Sequence, residues 1–169
     1  MKYRQIIITF SMFLFLTSLI SCQTTKKINK MNTEIPKISE YPLGEENIAF
    51  EKYFIGKSYL AQITKNEELN VPVYNVTFEP GARNNWHSHT GGQILIVVGG
   101  EGLYQEKGKV ARKLKVGDVV EIAPNVVHWH GATDKSWFSH LAITCNPTIN
   151  ENNWFDSVND EDYNEANSQ

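Results

Sequence analysis

The chain has 169 residues, with 16 basic and 19 acidic side chains and a formal net charge of −3 at pH 7. This mildly acidic balance argues against nucleic-acid binding, which requires a basic surface. The length suits a single folded domain that binds a small molecule or a protein partner.

Residues 1–21 are predicted to form a signal peptide. Lys2 and Arg4 precede an apolar run that is too short for a membrane span and is typical of a secretory signal. The run ends in Leu19-Ile20-Ser21-Cys22, which resembles the bacterial lipobox. That resemblance implies cleavage before Cys22 and acylation of its thiol, which would anchor a lipoprotein in the membrane of the bacterial cell envelope. An ordinary secretory signal and an uncleaved anchor are the alternatives.

Residues 22–47 are predicted to form a flexible tether, because they are polar, aperiodic and almost free of large apolar residues. Short β-branched and aromatic runs begin soon afterwards, so the folded domain is placed at residues 48–169. The chain has two cysteines. With Cys22 acylated, Cys145 has no disulfide partner, and we interpret it as an inert core thiol.

The domain is predicted to be all-β. Its apolar runs are separated by turns rich in glycine, proline, asparagine and aspartate, which is typical of strands joined by short loops. The predicted strands are residues 53–64, 71–78, 93–105, 110–114, 119–122, 126–130 and 138–145. Apart from a turn near the acidic C-terminus, no segment has a helical period. Many short strands at near-regular spacing predict a sandwich or barrel around one core.

Three histidines and a glutamine are the candidate metal ligands. His87 and His89 alternate along a strand and therefore point to the same face. Gln93 has the same parity four residues later. His128 and His130 repeat the alternating pair on a later strand. Neutral imidazole nitrogens and an amide oxygen suit divalent first-row ions, among them Mn(II), Fe(II), Co(II), Ni(II) and Zn(II).

The spacing of these residues resembles the two motifs of the cupin superfamily. The positions that match the first motif are Gly81, His87, His89, Gln93 and Gly100. Many cupins have glutamate where this chain has Gln93. The first motif thus places three donor side chains between two glycines.

The second cupin motif begins at Gly117-Asp118 and ends at His128. Asn125 stands where the family usually has a turn glycine, and asparagine tolerates the positive φ that such a turn requires. The resemblance covers about residues 53–163 and implies a cupin double-stranded β-helix, which is a jelly-roll barrel. It also implies a homodimer paired through the N-terminal strand near residues 53–64.

Longer stretches resemble the small manganese-dependent bacterial cupin hydroxynitrile lyases, and equally the cupins associated with carboxymuconolactone decarboxylase domains. These stretches are Val76-Thr-Phe-Glu-Pro-Gly-Ala-Arg83, Trp86-His-Ser-His89, Gly92-Gln93, His128-Trp-His-Gly-Ala132 and His140-Leu-Ala-Ile143. The resemblance implies that Mn(II) is held by His87, His89, Gln93 and His128. It also implies catalytic roles for His140 and His130.

The predicted function is a metal-dependent lyase that acts on a small oxygen-bearing substrate, with hydroxynitrile-lyase-like chemistry that splits a cyanohydrin into an aldehyde and HCN. Four neutral ligands leave the ion its full charge, which favours anion-forming substrates. His140 is the predicted general base, because imidazole titrates near neutral pH. His130 is expected to orient the substrate or complete a proton path. An Fe(II)-dependent dioxygenase and a non-enzymatic ligand-binding cupin of the cell envelope are the alternatives.

Three residues near the ligands are predicted to have structural roles. Arg83 shares its parity with His87, and a salt bridge to a neighbouring acid is expected rather than a contact with a substrate carboxylate. Trp86 and Trp129 have the opposite parity to the ligands. Both are therefore predicted to pack outside the pocket.

Overall fold

The computed structural model describes residues 35–169 of the chain. Within this range, twelve strands form a curled antiparallel sheet system, accompanied by two short 3₁₀ helices and one α-helix. The predicted signal peptide, Cys22 and residues 22–34 of the predicted tether lie outside the described residues. None of the helices in this range has the length and apolar character needed to cross a membrane.

The strands are β1 (Glu45–Glu46), β2 (Phe54–Ile55), β3 (Ser58–Gln62), β4 (Val73–Phe78), β5 (Arg83–Asn84), β6 (His87–His89), β7 (Gln93–Glu106), β8 (Arg112–Lys115), β9 (Val119–Ile122), β10 (His128–Ala132), β11 (Phe138–Thr144) and β12 (Asn152–Trp154). The 3₁₀ helices are η1 (Ile48–Tyr53) and η2 (Glu67–Leu69), and the α-helix is α1 (Asp160–Ser168). The sequence predicts the longer strands with small differences at their ends. The first predicted strand, residues 53–64, is instead divided into β2 and β3. Gly56, with φ of +77°, turns the chain between them.

Strand β7 connects the two faces of the barrel. Residues 93–100 pair with β9 and β11, whereas residues 101–106 pair with β8 and β10. At the crossing, Gly100 has φ of +66°, and a Cβ there would overlap the carbonyl oxygen of Trp137. Glycine is therefore required where the strand passes from one face to the other.

The apolar core lies between the two faces of the barrel. Its buried members are Val76, Phe78, Ala82, Leu95, Val97, Tyr104, Leu114, Val120, Ile122, Ala132, Phe138 and Ala142. Burial of each large side chain stabilises the fold by about 1.5–3 kcal/mol. Along β7, Gln93 is in phase with the inward-facing Leu95 and Val97, and all three are buried. The same alternation that builds the core therefore directs the Gln93 amide inward.

A second apolar cluster attaches α1 to the outer surface of the barrel. It consists of Trp86, Leu103, Trp129, Val158, Tyr163 and Ala166. Its position confirms the prediction that both tryptophans pack outside the pocket. The predicted C-terminal turn is in fact a nine-residue helix. Its first turn is stabilised because the Asn159 side chain accepts a hydrogen bond from the Asp162 amide at 2.8 Å.

Arg83 fastens the start of this helix to the barrel. Its Nε and Nη2 atoms donate to the Val158 carbonyl at 3.1 and 3.0 Å, and Nη2 lies 2.6 Å from Oδ1 of Asp160. The guanidinium also lies over the Tyr163 ring, 4.3 Å from its centroid. The expected salt bridge is confirmed. Strand alternation predicts that Arg83 and His87 point to the same face. This prediction is wrong, because the chain leaves extended pairing between β5 and β6.

Residues 35–47, the described part of the predicted tether, lie against the sheet. The amide of Asn75 donates to the Pro42 carbonyl at 2.9 Å. Gly99 leaves room for the Ile38 backbone, which a Cβ at that position would meet. Strand β1 then pairs with β3. This segment therefore contacts the barrel before residue 48, the predicted start of the folded domain.

Replacement of Arg83 by lysine should lower the free energy of unfolding by about 1–3 kcal/mol, because lysine cannot reproduce the paired donation from a planar group. Urea unfolding followed by tryptophan fluorescence measures this change. Arg112→Lys is the matched control, since Arg112 is exposed and makes one long hydrogen bond, 3.3 Å to the Val119 carbonyl. Equal stability of the two variants would contradict an anchoring role for Arg83.

Candidate metal centre

The predicted metal ligands come together on the inner face of the barrel. Strands β6 and β10 pair with His87 directly opposite His128, and the centroids of these two rings are 4.1 Å apart. The His89 ring lies 5.0 Å from His87 and 5.5 Å from His128. Gln93 begins β7 and is buried beside them. The structure thus gathers donors from three strands, while their ligand role stays a prediction.

Each of the three histidines has one ring nitrogen bound to an oxygen acceptor. The pairs are His87 Nδ1 with the Asn85 carbonyl at 3.0 Å, His128 Nδ1 with the Val126 carbonyl at 3.0 Å, and His89 Nδ1 with Asn152 Oδ1 at 2.7 Å. An oxygen acceptor requires the proton on Nδ1, which leaves the lone pair on Nε2. Metal-binding histidines have this arrangement, in which the second nitrogen donates to a protein oxygen.

Burial keeps these imidazoles in the neutral form that binds metals. It lowers the pKa of His87 well below its usual value and that of His128 to about 4. Burial also lowers the pKa of His89. The rings are therefore uncharged at neutral pH, and their lone pairs are free of protons.

The residues present fit a divalent metal ion. Within residues 35–169, the buried polar atoms that lack a hydrogen-bond partner include His89 Nε2, His128 Nε2 and Gln93 Oε1. A buried polar atom left unpaired costs about 1–3 kcal/mol, so three of them together call for a ligand. Two imidazole lone pairs and an amide oxygen match the preference of first-row divalent ions.

His130 gives a second geometric grouping. One of its ring nitrogens, with one from His87 and one from His128, forms a set of three atoms within 4.8 Å of one another. Asn84 argues against His130 as a ligand. The Asn84 Oδ1 atom accepts from the His130 backbone N–H at 3.0 Å, and Asn84 Nδ2 lies 3.1 Å from Nε2 and 3.4 Å from Nδ1 of the His130 ring. In either tautomer, the ring nitrogen that accepts from this amide has no free lone pair for a metal.

Asn84 is a site residue that the sequence pattern does not indicate. A straight strand through residues 83–89 would direct Arg83 inward with His87 and Asn84 outward. The interruption between β5 and β6 reverses this, so that Asn84 contacts His130 inside the barrel.

His140 is enclosed in the core beside His130. Its ring packs against Phe78 and Phe138, with centroid distances of 5.9 and 5.1 Å, and it meets His130 edge-on at 4.7 Å. The side chain is fully buried, and neither ring nitrogen has a hydrogen-bond partner among the described residues. Burial lowers the pKa of His140 to about 3.

A cavity of about 320 Å³ opens beside the histidines, which is a suitable size for a small molecule. Its polar lining includes Asn84, His87, His89, Gln93, His130 and Asn152. Its apolar wall includes Phe50, Phe54, Leu60, Tyr74, Val76 and Trp154. His130 therefore lines the cavity. His140 does not line it and lies behind His130, in contact with its ring.

The comparisons with known proteins agree with this architecture. A family model of the cupin domain matches residues 74–143. The (R)-mandelonitrile lyase of Granulicella tundricola is 44% identical over 89 residues, which are 53% of this chain and 68% of that protein. The crystal structure of a cupin-like protein from Thermotoga maritima is 46% identical, with a TM-score of 0.70 over 75% of this chain and 96% of that one.

A predicted oxalate decarboxylase from Thermotoga maritima superposes with a TM-score of 0.55 at 21% identity, covering 65% of this chain and 98% of that one, and shares the fold alone. The chain belongs to the cupin family. These matches confirm the predicted double-stranded β-helix and the resemblance to hydroxynitrile lyases. The histidine cluster further fits a cupin that binds a divalent metal.

The metal-free protein should lose stability as the pH falls below about 6.5. In this range the unfolded chain takes up a proton on His140 and the folded chain does not, because its pKa is about 3. His140 alone should lower the free energy of unfolding by about 2 kcal/mol between pH 7 and pH 5. Urea unfolding at the two pH values measures this loss.

His140→Leu should reduce that pH dependence by the same amount. Phe138→Leu is the control, because it alters the neighbouring core without removing a titratable group and should weaken the fold equally at both pH values. An unchanged pH dependence in His140→Leu would show that folded His140 takes up a proton as readily as the unfolded chain does.

Proposed function

We propose that the protein is a metal-dependent lyase that splits a small cyanohydrin into an aldehyde and HCN. The observation that carries the proposal is the set of neutral donors at the wall of a cavity of about 320 Å³. The 44% identity to a mandelonitrile lyase supports the same reaction class. Mandelonitrile is therefore the first substrate to test.

His87, His89, Gln93 and His128 would hold the ion, for which Mn(II) is our proposal. When bound, the ion supplies positive charge that stabilises an anionic oxygen or cyanide. The ligands themselves carry no charge, since the histidines are neutral and Gln93 is an amide. They therefore leave the charge of the ion undiminished, which suits a reaction that releases an anion.

The apolar wall of the cavity would bind the organic part of the substrate. Phe54, Leu60 and Trp154 belong to this wall, and Trp154 also stacks on His87. A cyanohydrin has an apolar substituent on the carbon that bears its hydroxyl and nitrile groups. Burial of the substituent against these side chains would direct the two polar groups toward the histidines.

His140 and His130 would move the proton. As the hydroxyl proton passes to a neutral imidazole, the O–H electrons form the carbonyl bond and the carbon–cyanide bond breaks with its electron pair. The proton then passes to cyanide and gives HCN. His130 lies at the cavity wall, where acceptance of the proton would displace the Asn84 amide from its ring. The His140 ring lies behind it and meets it edge-on, with a centroid distance of 4.7 Å and no hydrogen bond between the two rings. Burial lowers the pKa of His140 to about 3, which keeps its imidazole unprotonated across the physiological pH range but makes it a weaker base than an imidazole that titrates near neutral pH.

The decisive assay is benzaldehyde formation from mandelonitrile by the Mn(II)-loaded protein without oxygen. A lyase requires no oxygen, whereas a dioxygenase has no activity under these conditions and consumes oxygen when loaded with Fe(II). A binding module has no turnover with either metal. Absence of benzaldehyde at full manganese occupancy would refute the proposed lyase reaction and leave the cupin fold unaffected.

His140→Gln should lower turnover by about 10²–10⁴-fold, because glutamine cannot accept the proton. Metal content, measured by elemental analysis, should stay at the wild-type level. Cys145→Ser, just beyond the end of the same strand, is the control and should keep full turnover. Wild-type turnover in His140→Gln would remove His140 from the mechanism.

Gln93→Glu should bind the metal more tightly and turn over more slowly, since a carboxylate ligand reduces the charge available to the substrate. Chelator competition measures the affinity, and the benzaldehyde assay measures the rate. Gln62→Glu adds the same charge at the exposed end of β3 and is the matched control. Faster turnover in Gln93→Glu would contradict the role given to the neutral amide.

A further inference from the structure

Strand β12 lies beyond residue 143, where the match to the cupin model ends, yet it contacts two of the candidate ligands. It pairs antiparallel with β6, with Asn152 opposite His89 and Trp154 opposite His87. Residues 152 and 154 share one face of their strand, as residues 87 and 89 do on theirs. Each histidine therefore has its own cross-strand neighbour.

Asn152 controls the ring of His89. The Asn152 Oδ1 atom lies 2.7 Å from His89 Nδ1, while His89 Nε2 is buried without a hydrogen-bond partner among the described residues. The hydrogen bond places the proton on Nδ1 and holds the ring with its free lone pair directed inward. His87 and His128 donate from Nδ1 to backbone carbonyls, so His89 is the one of these three whose Nδ1 has a side-chain oxygen as its partner.

Trp154 holds the neighbouring ligand from the same strand. Its ring stacks on His87 with a centroid distance of 4.8 Å and an interplanar angle of 26°. The indole also stacks on Tyr53, with a centroid distance of 4.4 Å and an interplanar angle of 7°, and lies 6.0 Å from the Phe54 ring. Trp154 is therefore the middle ring of a three-ring stack, with His87 at one end and Tyr53 at the other.

We infer that β12 is a positioning element of the metal centre, in which Asn152 fixes the tautomer and orientation of His89 for metal binding. The inference rests on the proposed metal centre and does not depend on the reaction that takes place there. It assigns a function to a strand outside the matched cupin region. Asn152 touches a ligand through a hydrogen bond and is itself a positioning residue.

Zn(II) affinity of the full chain, measured by chelator competition, tests this role. Asn152→Ala should raise the dissociation constant by about 10–100-fold, the usual cost of losing such a partner. Asn152→Asp should restore the affinity, because a carboxylate oxygen accepts the same hydrogen bond. Asn153→Ala is the matched control, since Asn153 is exposed on the other face of β12 and should leave the affinity unchanged.

Long-range ¹H–¹⁵N NMR of the metal-free protein at neutral pH supplies a readout that a general loss of stability would not move. The wild type and Asn152→Asp should carry the His89 proton on Nδ1. Asn152→Ala should show a mixture that includes the Nε2–H form. A wild-type His89 protonated on Nε2 would overturn the inference.

The other outcomes separate this inference from the proposed function. Unchanged Zn(II) affinity in Asn152→Ala, or failure of Asn152→Asp to restore it, overturns the positioning role alone. A wild-type protein that binds no Zn(II) overturns both the metal centre and the inference. A wild type that binds metal tightly but forms no benzaldehyde overturns the lyase reaction and leaves the inference standing.

Discussion

The structure depends on a few uncharged side chains whose metal-binding atoms are buried in an apolar barrel. Burial removes His87, His89 and His128 from water and lowers the pKa of each. Their Nδ1 atoms have oxygen partners, but the Nε2 atoms of His89 and His128 have none within residues 35–169. Unpaired buried atoms of this kind lower the stability of the fold unless a cation binds them. They lie beside the cavity in which a substrate would bind.

The barrel supplies the rigidity that this arrangement needs. Paired strands β6 and β10 set His87 against His128. Strand β7 adds Gln93 in phase with the core residues Leu95 and Val97. A one-residue slip in any of these strands would turn its donor to the opposite face. The packing of the core and the geometry of the candidate site are therefore set by the same registers.

The sequence predicts the parts of the site that lie on regular strands and fails where the chain departs from them. Alternation places His87, His89 and Gln93 on one face, and it is right for Trp129 on the opposite face. It fails at Arg83 and Asn84, because the break between β5 and β6 depends on tertiary pairing. Strand β12 has no strand signature in Asn-Asn-Trp, and its conformation comes from pairing with β6.

Segments outside the matched cupin region contact both a candidate metal ligand and the apolar lining of the cavity. Helix η1 contributes Phe50 to the cavity and ends at Tyr53, whose ring stacks on Trp154. Trp154 in turn stacks on His87. A displacement of helix η1 would therefore reach the candidate ligand His87 through two ring contacts, Tyr53 with Trp154 and Trp154 with His87. Variation in these flanking segments can thus alter both the substrate that fits and the orientation of a ligand, while the barrel strands keep the donors in place.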